Sequence, residues 1–351
     1  MFSYLKLFTS KKKILLISHE LSNTGAPRAL LNLARTIKEL GYFVFVISYI
    51  DGPLKEDFSR HEIPIVCMEN KKIKKLSILF KIFDMIICNT ILCYPTVAFL
   101  EKKHPKVLWW IHEAIFIEEV LKNIGCQIIE IMHNANIYCV SEYAKSFIKK
   151  YNDNPKLLEL TIDDEYNKYN SIKPTNKKIK IIYMGELVPL KGQDIFIDYF
   201  SELPLEIQNL YEVNFIGEFA DEEFSNKIKK KTLQYNNIKF LGKLSHEQAL
   251  KELASCDLFI LLSRGDSFSI ATAEALMLDK PIIISNTTGI ATLLQNENCG
   301  YIIRNKEDFI VIMKNLDIKN LKSSRKVFLK KFSKDSYKKY IKKFILTKGE
   351  T

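Results

Sequence analysis

The chain has 351 residues, 47% of them hydrophobic and 26% charged, and a formal net charge of +11. This length is too great for one ordinary core and suits two domains of roughly 150–180 residues each, and the composition is that of a soluble globular protein. No run of about 18 apolar residues is present, which excludes a membrane-spanning helix. The N-terminal residues also lack the charge order and the cleavage site of a secretory signal.

The cysteines and lysines bear on where the chain resides. Seven cysteines are scattered without a CxxC pair, so we expect reduced, buried thiols in a cytoplasmic protein rather than disulfides or a zinc site. Lysine clusters are mostly in the first half and have two interpretations, which are solvated helix faces or attraction to an anionic membrane. The apolar segment before Lys11–Lys13 favours peripheral contact with the inner face of the cytoplasmic membrane. No recognition motif for nucleic acid is present, so we expect no such partner.

In the first half, short apolar runs alternate with helical patterns. A helix is predicted over Arg28–Leu40, with Pro27 in its first turn and Gly41 just past its end. Continuous apolar strands separated by helices indicate a parallel sheet covered on both faces. The predicted strands are Lys13–Ser18, Phe43–Ser48, Pro64–Met68, Asp84–Asn89, Lys106–Ile111 and Asn136–Val140.

The same alternation restarts after residues 152–178, which are rich in Asn, Asp, Lys and Pro and are predicted to form a domain linker. Ser245 is a candidate N-cap of the helix that carries Leu250 and Leu253, and Phe332–Ile345 is predicted to form a basic amphipathic helix. The fold class is therefore α/β, with two doubly wound, Rossmann-like domains facing a central cleft, where ligands bind at the carboxyl ends of the strands. The predicted strands of the second half are Ile179–Met184, Val213–Ile216, Ile238–Leu241, Leu258–Leu262 and Pro281–Ser285.

The segment SRGDSFSIATAEALMLDKPIIIS, residues 263–285, is the most specific motif. A strand ends at Ser263, and after a short polar loop a helix is predicted near Phe268, whose first N–H groups can face an anion or a sugar hydroxyl. Glu274 lies in this otherwise apolar helix, so its carboxylate must find a donor or stay exposed. A surface acid, a structural salt bridge and a ligand for hydroxyl groups all remain open for it.

The segment YMGELVPLKG, residues 183–192, is the second motif. A strand ends at Gly185, and Lys191 opens the next predicted helix. A lysine at a helix start does not stabilise the helix dipole, so a diphosphate ligand explains it better, although a solvated lysine remains the alternative.

Two motifs of the first half also lie where strands end. WWIHE places His112 and Glu113 at the carboxyl edge of a sheet, where ligands bind, although a histidine beside tryptophan is often a satisfied core residue. SNTGAPR places Gly25 and Arg28 in a loop and helix start that can cradle an anion, or that is simply a turn. Ser141 is expected to cap the helix that follows it.

Together these segments resemble the family-4 retaining glycosyltransferases of the GT-B fold, of the kind that builds bacterial surface polysaccharides. The resemblance covers residues 13–345. Its Glu-x7-Glu signature falls on Asp266 and Glu274, with an aspartate in the place of the first glutamate. Its glycine loop keeps Gly25 alone, and its W-x-H-E segment contains His112.

The resemblance implies roles for these residues. Glu274 grips the nucleotide ribose, and Lys191 binds the pyrophosphate. The catalytic set is His112, Asp266 and Glu274, and the donor contacts are Gly25, Lys191, Ser267, Phe268, Ser269 and Glu274. The family's arginine beside this lysine is replaced by Glu186, for which Arg28 and Arg264 are the candidate substitutes.

The resemblance also assigns the domains and the reaction. Residues 1–172 bind the acceptor, residues 173–331 bind the donor, and the helix in residues 332–351 crosses back to the first domain. The donor is a nucleotide-diphosphate sugar and the acceptor a glycan or a lipid-linked glycan, in capsule or O-antigen synthesis. No DxD pair follows a strand, since Asp163–Asp164 lies in the linker, so we expect no metal and no other cofactor.

Two other functions stay open. One is another GT-B enzyme, such as a sugar-nucleotide epimerase or a phosphorylase. The other is a non-catalytic relative that binds nucleotide sugars or glycans, and Glu186 and Asp266 keep that alternative open.

Overall fold

The structure is a computed structural model that describes residues 12–73, 75, 77–104, 106–174, 178–295 and 297–349. The apolar N-terminal segment with Lys11, and Lys74 and Lys177 of two other lysine clusters, lie outside the described residues. The chain divides into two compact units, residues 1–162 with 333–351, and residues 163–332. The first unit thus ends before the predicted boundary at residue 172.

Each unit contains one parallel sheet. The first has the strand order β3-β2-β1-β4-β5-β6-β7, and the second has the order β10-β9-β8-β11-β12-β13. The strands of the first are β1 Lys13–Ser18, β2 Phe43–Ser48, β3 Ile65–Cys67, β4 Met85–Asn89, β5 Val107–Ile111, β6 Ile137–Cys139 and β7 Lys156–Leu157. Those of the second are β8 Ile179–Met184, β9 Tyr211–Ile216, β10 Ile238–Gly242, β11 Leu258–Leu261, β12 Ile282–Ser285 and β13 Gly300–Ile303.

Helices connect the strands. Short 3-10 turns occur at residues 91–93, 189–191 and 318–320. The helices of the first half are α1 Gly25–Glu39, α2 Leu54–Arg60, α3 Asn70–Ile73, α4 Ser77–Phe80, α5 Tyr94–Leu100, α6 Ile117–Ile124, α7 Gln127–Asn134 and α8 Glu142–Ile148. Those of the second half are α9 Tyr166–Tyr169, α10 Gln193–Ser201, α11 Leu205–Gln208, α12 Glu222–Thr232, α13 His246–Ala254, α14 Ile270–Met277, α15 Ala291–Leu294, α16 Lys306–Lys314, α17 Ser324–Lys331 and α18 Lys334–Gly349.

The prediction of a doubly wound α/β fold is confirmed, and three strands have the predicted ends. These are β1, β2 and β8, whose mostly apolar runs fit a parallel sheet that helices cover on both faces. Local capping also follows the sequence. Gly41 takes a φ of +84° just past α1, and Ser245 forms a capping box with Gln248 at the start of α13. Ser141 accepts a hydrogen bond from Ala144 N at the start of α8.

Other predictions differ from the structure. Helix α1 begins at Gly25, three residues before the predicted start, and the predicted linker contains both β7 and α9. Strand β7 has only two residues, and β13 at the other sheet's edge is partly exposed, so neither has the apolar run that marks an inner strand. The seven cysteines are free thiols, and five of them are buried, but Cys126 is exposed before α7.

The C-terminal helix α18 belongs to the first unit. Tyr340 Oη donates to the backbone oxygen of Leu157 in β7 at 3.0 Å, and the Phe344 ring packs edge-on against Tyr138. Lys334 pairs with Glu39 at the end of α1. Among the described residues, no helix is both long and apolar enough to cross a bilayer.

In each sheet the strand order reverses direction at one point. The reversal falls between β1 and β4 in the first unit and between β8 and β11 in the second. In open α/β sheets, ligands bind at the carboxyl ends of the strands that flank such a reversal. The predicted site residues follow these strands and their neighbours.

Candidate functional site

In the second unit, the turn that carries Lys191 is fastened to the neighbouring strand. The hydroxyl of Tyr183, near the end of β8, donates to the backbone oxygen of Lys191 at 2.5 Å and accepts from Leu262 N at 3.0 Å. Gly192 follows with a φ of +71°, and an added Cβ there would lie 1.9 Å from the oxygen of Leu262. Only glycine fits so close to the oxygen of Leu262. This close packing and the two hydrogen bonds of Tyr183 hold Lys191 beside β8 and β11, at the reversal point of the sheet.

Lys191 makes an ion pair that the sequence did not show. Its stem lies against Gly185, and its Nζ is 2.6 Å from Oδ2 of Asp266, with side-chain exposures of 26% and 14%. The lysine is therefore not a freely solvated side chain. It also ends a 3-10 turn, and helix α10 begins only at Gln193, so the prediction that Lys191 opens a helix is wrong by two residues.

Asp266 organises the loop before α14. Its Oδ1 accepts from Ser269 N at 2.9 Å and from Phe268 N at 3.3 Å, while its backbone N–H donates to the oxygen of Thr287. Two of the loop N–H groups that were expected to face a ligand therefore already have an acceptor. Ser267, between Asp266 and Phe268, is partly exposed in the same loop.

Phe268 and Ser269 have structural partners. The buried Phe268 ring meets Phe332 edge-on at 5.6 Å, so its side chain belongs to the core. Ser269 has a φ of +71° and caps α14, accepting from Thr272 N at 3.3 Å. The helix thus begins at Ile270 and not near Phe268. A left-handed conformation is strained for serine and favours glycine, the residue common here in the resembling family.

Glu274 has the donor partner that its apolar helix requires. It is only 8% exposed, and its Oε1 lies 2.8 Å from Nε2 of His246, whose side chain is 52% exposed. His246 is the first residue of α13, after β10. Our sequence reasoning missed it, although a histidine directly after a capping serine and a strand end was a usable signal.

Arg264, a candidate substitute for the missing arginine, is engaged by other groups in this structure. Its guanidinium binds Asp194 through two hydrogen bonds of 2.8 and 2.7 Å and also donates to the oxygen of Pro189. Burial alone would raise the pKa of Asp194, but the hydrogen bonds and charge of Arg264 lower it below its usual value. Glu186, at the position where the resembling family has its arginine, is exposed. Among the described residues of the second unit, Lys191 therefore has no free arginine beside it.

In the first unit, His112 lies at the end of β5. Its Nε2 is 2.8 Å from Oδ1 of Asn89 at the end of β4, and its ring packs against Trp110. Burial, with a smaller contribution from the charge of His19, lowers the pKa of His112 to about 3. The imidazole is therefore neutral at physiological pH and available as a hydrogen-bonding group rather than as a cation.

Glu113 has a structural role here. Its Oε2 accepts from Ile91 N at 3.1 Å and from His112 N at 3.0 Å, which joins the turns after β4 and β5. Burial raises the pKa of Glu113, and these hydrogen bonds oppose that shift.

Thr90, directly after β4, has a strained backbone. It has a φ of +75°, an outlier for a β-branched residue, and it is 1% exposed. Its N–H donates to Trp110, its oxygen accepts from Nε1 of Trp109, and its hydroxyl lies 2.9 Å from Nδ1 of His19. Burial lowers the pKa of His19 despite the opposing effect of Glu20. Backbone strain of this kind is concentrated at functional sites.

Gly25 and Arg28 lie at the start of α1, and both are exposed. Arg28 Nε donates to the backbone oxygen of Asn23, so this guanidinium is folded back on its own loop. Sequence reasoning missed His19, Asn89 and Thr90, although each is a polar residue at or just after the carboxyl end of an apolar strand. Among the described residues, no group of three or more His, Cys, Asp or Glu side chains is arranged to hold a metal ion.

The fold and these clusters define a class, the two-unit α/β proteins with polar side chains at the carboxyl edges of both sheets. Comparison with known families names it. Residues 10–145 match the family model described as glycosyl-transferase family 4, and residues 165–316 match glycosyl transferases group 1. The chain belongs to the family-4 glycosyltransferases of the GT-B fold.

Curated relatives are distant. An uncharacterised glycosyltransferase of Methanocaldococcus jannaschii is 24% identical over 214 residues, which are 56% of this chain and 55% of that protein. An uncharacterised protein in the cps region of Klebsiella pneumoniae is 21% identical over 228 residues, 64% of this chain and 61% of that one. The chain thus spans somewhat more than half the length of the curated relatives it matches.

Solved structures share the fold over nearly the whole chain. Anabaena HepE in complex with UDP has a TM-score of 0.79 at 16% identity, covering 95% of this chain and 100% of that one. A Rickettsia africae glycosyltransferase has a TM-score of 0.78 at 15% identity, covering 96% and 99%. The lipopolysaccharide outer core galactosyltransferase WaaB, in its apo form, has a TM-score of 0.74 at 16% identity, also covering 96% and 99%.

Proposed function

We propose that the chain is a retaining glycosyltransferase that moves a sugar from a nucleotide-diphosphate donor to a glycan or lipid-linked acceptor. One observation carries the proposal. The second unit places a cation, Lys191, and a nearly buried carboxylate, Glu274, on the loops and helix that follow β8 and β11, at the reversal point of its sheet. A diphosphate needs the first group and ribose hydroxyls need the second.

The comparisons support a nucleotide-sugar donor. HepE structures were solved with UDP and with UDP-glucose, and WaaB is a galactosyltransferase of lipopolysaccharide. The Klebsiella relative comes from a cps region. We propose accordingly a role in bacterial surface-polysaccharide synthesis, in the cytoplasm or at the inner face of its membrane.

The proposed chemistry is positioning and charge stabilisation. Lys191 stabilises the negative charge that develops on the departing diphosphate, and Asp266 contacts the donor sugar. The acceptor binds the first unit, where neutral His112 offers a hydrogen bond to a sugar hydroxyl and its backbone oxygen lies at the strand end. A phosphate oxygen of the leaving group takes the acceptor proton, so that the sugar is transferred on the same face and no metal is required.

The donor site is tested by thermal stabilisation with a panel of UDP-, GDP-, ADP-, CDP- and dTDP-sugars, in EDTA and in Mg²⁺. One member should stabilise the chain, by about 2.7 kcal/mol at a hundred times its Kd, equally in both buffers. Lys191→Ala and Glu274→Ala should abolish the shift. Lys251→Ala and Glu202→Ala remove residues of the same types from exposed ion pairs of the same unit and should leave it intact. No stabilisation by any donor would refute the proposal.

The reaction is tested by following that donor with candidate acceptors. Release of nucleoside diphosphate only with acceptor, and an unchanged anomeric configuration in the product, support a retaining transferase. Donor epimerised without acceptor would indicate an epimerase, and binding without turnover a non-catalytic relative. Membrane contact predicts sedimentation with anionic vesicles that salt reverses, and no binding at low salt would exclude it.

A further inference from the structure

Helix α13 begins with a residue that helix stability does not explain. Ser245 and Gln248 already form a complete capping box there. A histidine in the first turn brings no dipole stabilisation, since the positive end of the helix dipole favours acids. His246 nevertheless directs Nε2 to Glu274 Oε1 at 2.8 Å, from a side chain that is 52% exposed to one that is 10% exposed.

The pair leaves one carboxylate oxygen for another partner. Oε1 of Glu274 is engaged by His246, and no hydrogen bond from the described residues reaches Oε2. An ionised carboxylate has about four lone-pair sites, so a single donor leaves most of its acceptor capacity unused. A nearly buried carboxylate with unused capacity at a ligand edge is suited to hydroxyl groups, which are donors without charge.

We propose that His246 is a positioning residue that holds Oε1 of Glu274 and thereby presents Oε2 to the 2′-hydroxyl of the donor ribose. This inference rests on the proposed function, because Glu274 is taken as the ribose ligand. Both the neutral imidazole with a proton on Nε2 and the imidazolium donate to the carboxylate, so the role does not depend on protonation. The consequence is a preference for ribonucleotides over their 2′-deoxy forms.

The experiment measures Kd for three probes by calorimetry on the full chain. The first is whichever of UDP, GDP, ADP, CDP and TDP (ribothymidine diphosphate) stabilises the wild-type chain most, the second is its 2′-deoxy form, and the third is inorganic pyrophosphate. His246→Phe keeps a ring and removes the donor, and His246→Gln keeps an amide donor. Glu247→Gln, at the adjacent exposed position, is the matched control.

His246→Phe should weaken ribonucleotide binding about tenfold, as expected for loss of a hydrogen bond to a charged group, and bring the ribo-to-deoxy ratio towards one. Pyrophosphate affinity should not change, since Lys191 is untouched. His246→Gln should recover part of the ratio, a rescue that a merely structural role does not predict.

The outcomes separate this inference from the function it rests on. A wild-type chain that binds no nucleotide overturns both. A wild-type chain that binds but does not discriminate the deoxy form overturns this inference alone, as does an unchanged ratio in His246→Phe. If His246→Phe fails to fold, the ribo-to-deoxy ratio of His246→Gln is compared with that of Glu247→Gln. A ratio in His246→Gln below that of the control supports the inference, and a ratio equal to that of the control overturns it.

Discussion

The ion pair between Lys191 and Asp266 gives the sharpest prediction, because a carboxylate of the protein already occupies the lysine that is proposed to bind the diphosphate. A bound diphosphate must displace Asp266 from the ammonium or lie beside its negative charge, and both cost affinity. Asp266→Asn removes the charge and keeps Oδ1, which accepts from the N–H groups of Phe268 and Ser269. The substitution should therefore leave the loop in place and strengthen anion binding.

The structure sets the size of the effect. The pair has an N–O distance of 2.6 Å with side-chain exposures of 26% and 14%, so it is partly screened by solvent. A hydrogen bond to a charged group contributes about 1.5–3 kcal/mol, and partial exposure reduces this to about 1–2 kcal/mol. The expected gain is a factor of about 5–30 in affinity.

The assay is calorimetric titration of the wild-type and Asp266→Asn chains with inorganic pyrophosphate and with the best-binding nucleoside diphosphate. Asp198→Asn, which breaks an exposed ion pair with Lys231 in the same unit, is the control and should change nothing. Turnover of the complete donor should fall in Asp266→Asn, since its proposed contact is with the sugar. Unchanged or weaker pyrophosphate binding in Asp266→Asn would refute the assignment of Lys191 as the diphosphate ligand.

Three further predictions concern stability. Because His112 has a folded pKa of about 3 against 6.5 unfolded, the unfolded chain binds up to one more proton between those values, so stability should fall as the pH is lowered from about 6.5 to about 3. His112→Asn should reduce that slope by up to about 1.4 kcal/mol per pH unit in urea titrations, and an equal reduction in the exposed His133→Asn would contradict the cause. Gly192→Ala puts a Cβ 1.9 Å from a backbone oxygen and should lower the free energy of unfolding by at least about 3 kcal/mol. Gly41→Ala, also at positive φ but in open space, should lower it by about 1–2 kcal/mol. Similar melting temperatures for the two variants would be contrary evidence. Ser269→Ala loses the cap hydrogen bond and keeps the backbone strain, so it should lower the free energy of unfolding by about 1 kcal/mol. Ser269→Gly loses the cap but relieves the strain, so its stability should stay within about 0.5 kcal/mol of wild type. The reverse order in chemical unfolding would be inconsistent with a strained cap.

Much of the fold is readable from the sequence because the inner strands are buried on both faces. The runs at β1, β2 and β8 are mostly apolar, and their predicted ends agree with the structure. The edge strands β7 and β13 have no such signal, because their pairing depends on a neighbouring strand rather than on their own pattern.

The places of the candidate site residues in the fold were predictable from the sequence, but the partners of their side chains were not. Strand ends and helix starts put Lys191, Asp266, Glu274 and His112 at ligand edges. The partner of each charged side chain, however, is distant in sequence, as for Lys191 with Asp266, and no local pattern encodes it. That non-local pairing also explains why Arg264, which sequence position made a candidate, is bound to Asp194 instead.

The most direct measurement is a crystal structure of the full chain with the nucleoside diphosphate that binds best. A phosphate oxygen should lie about 3 Å from Lys191 Nζ, and a ribose hydroxyl should lie at the same distance from Glu274. A nucleotide bound instead at the amino edge of the second sheet, in the cavity lined by Lys178 and Lys239, would contradict the account.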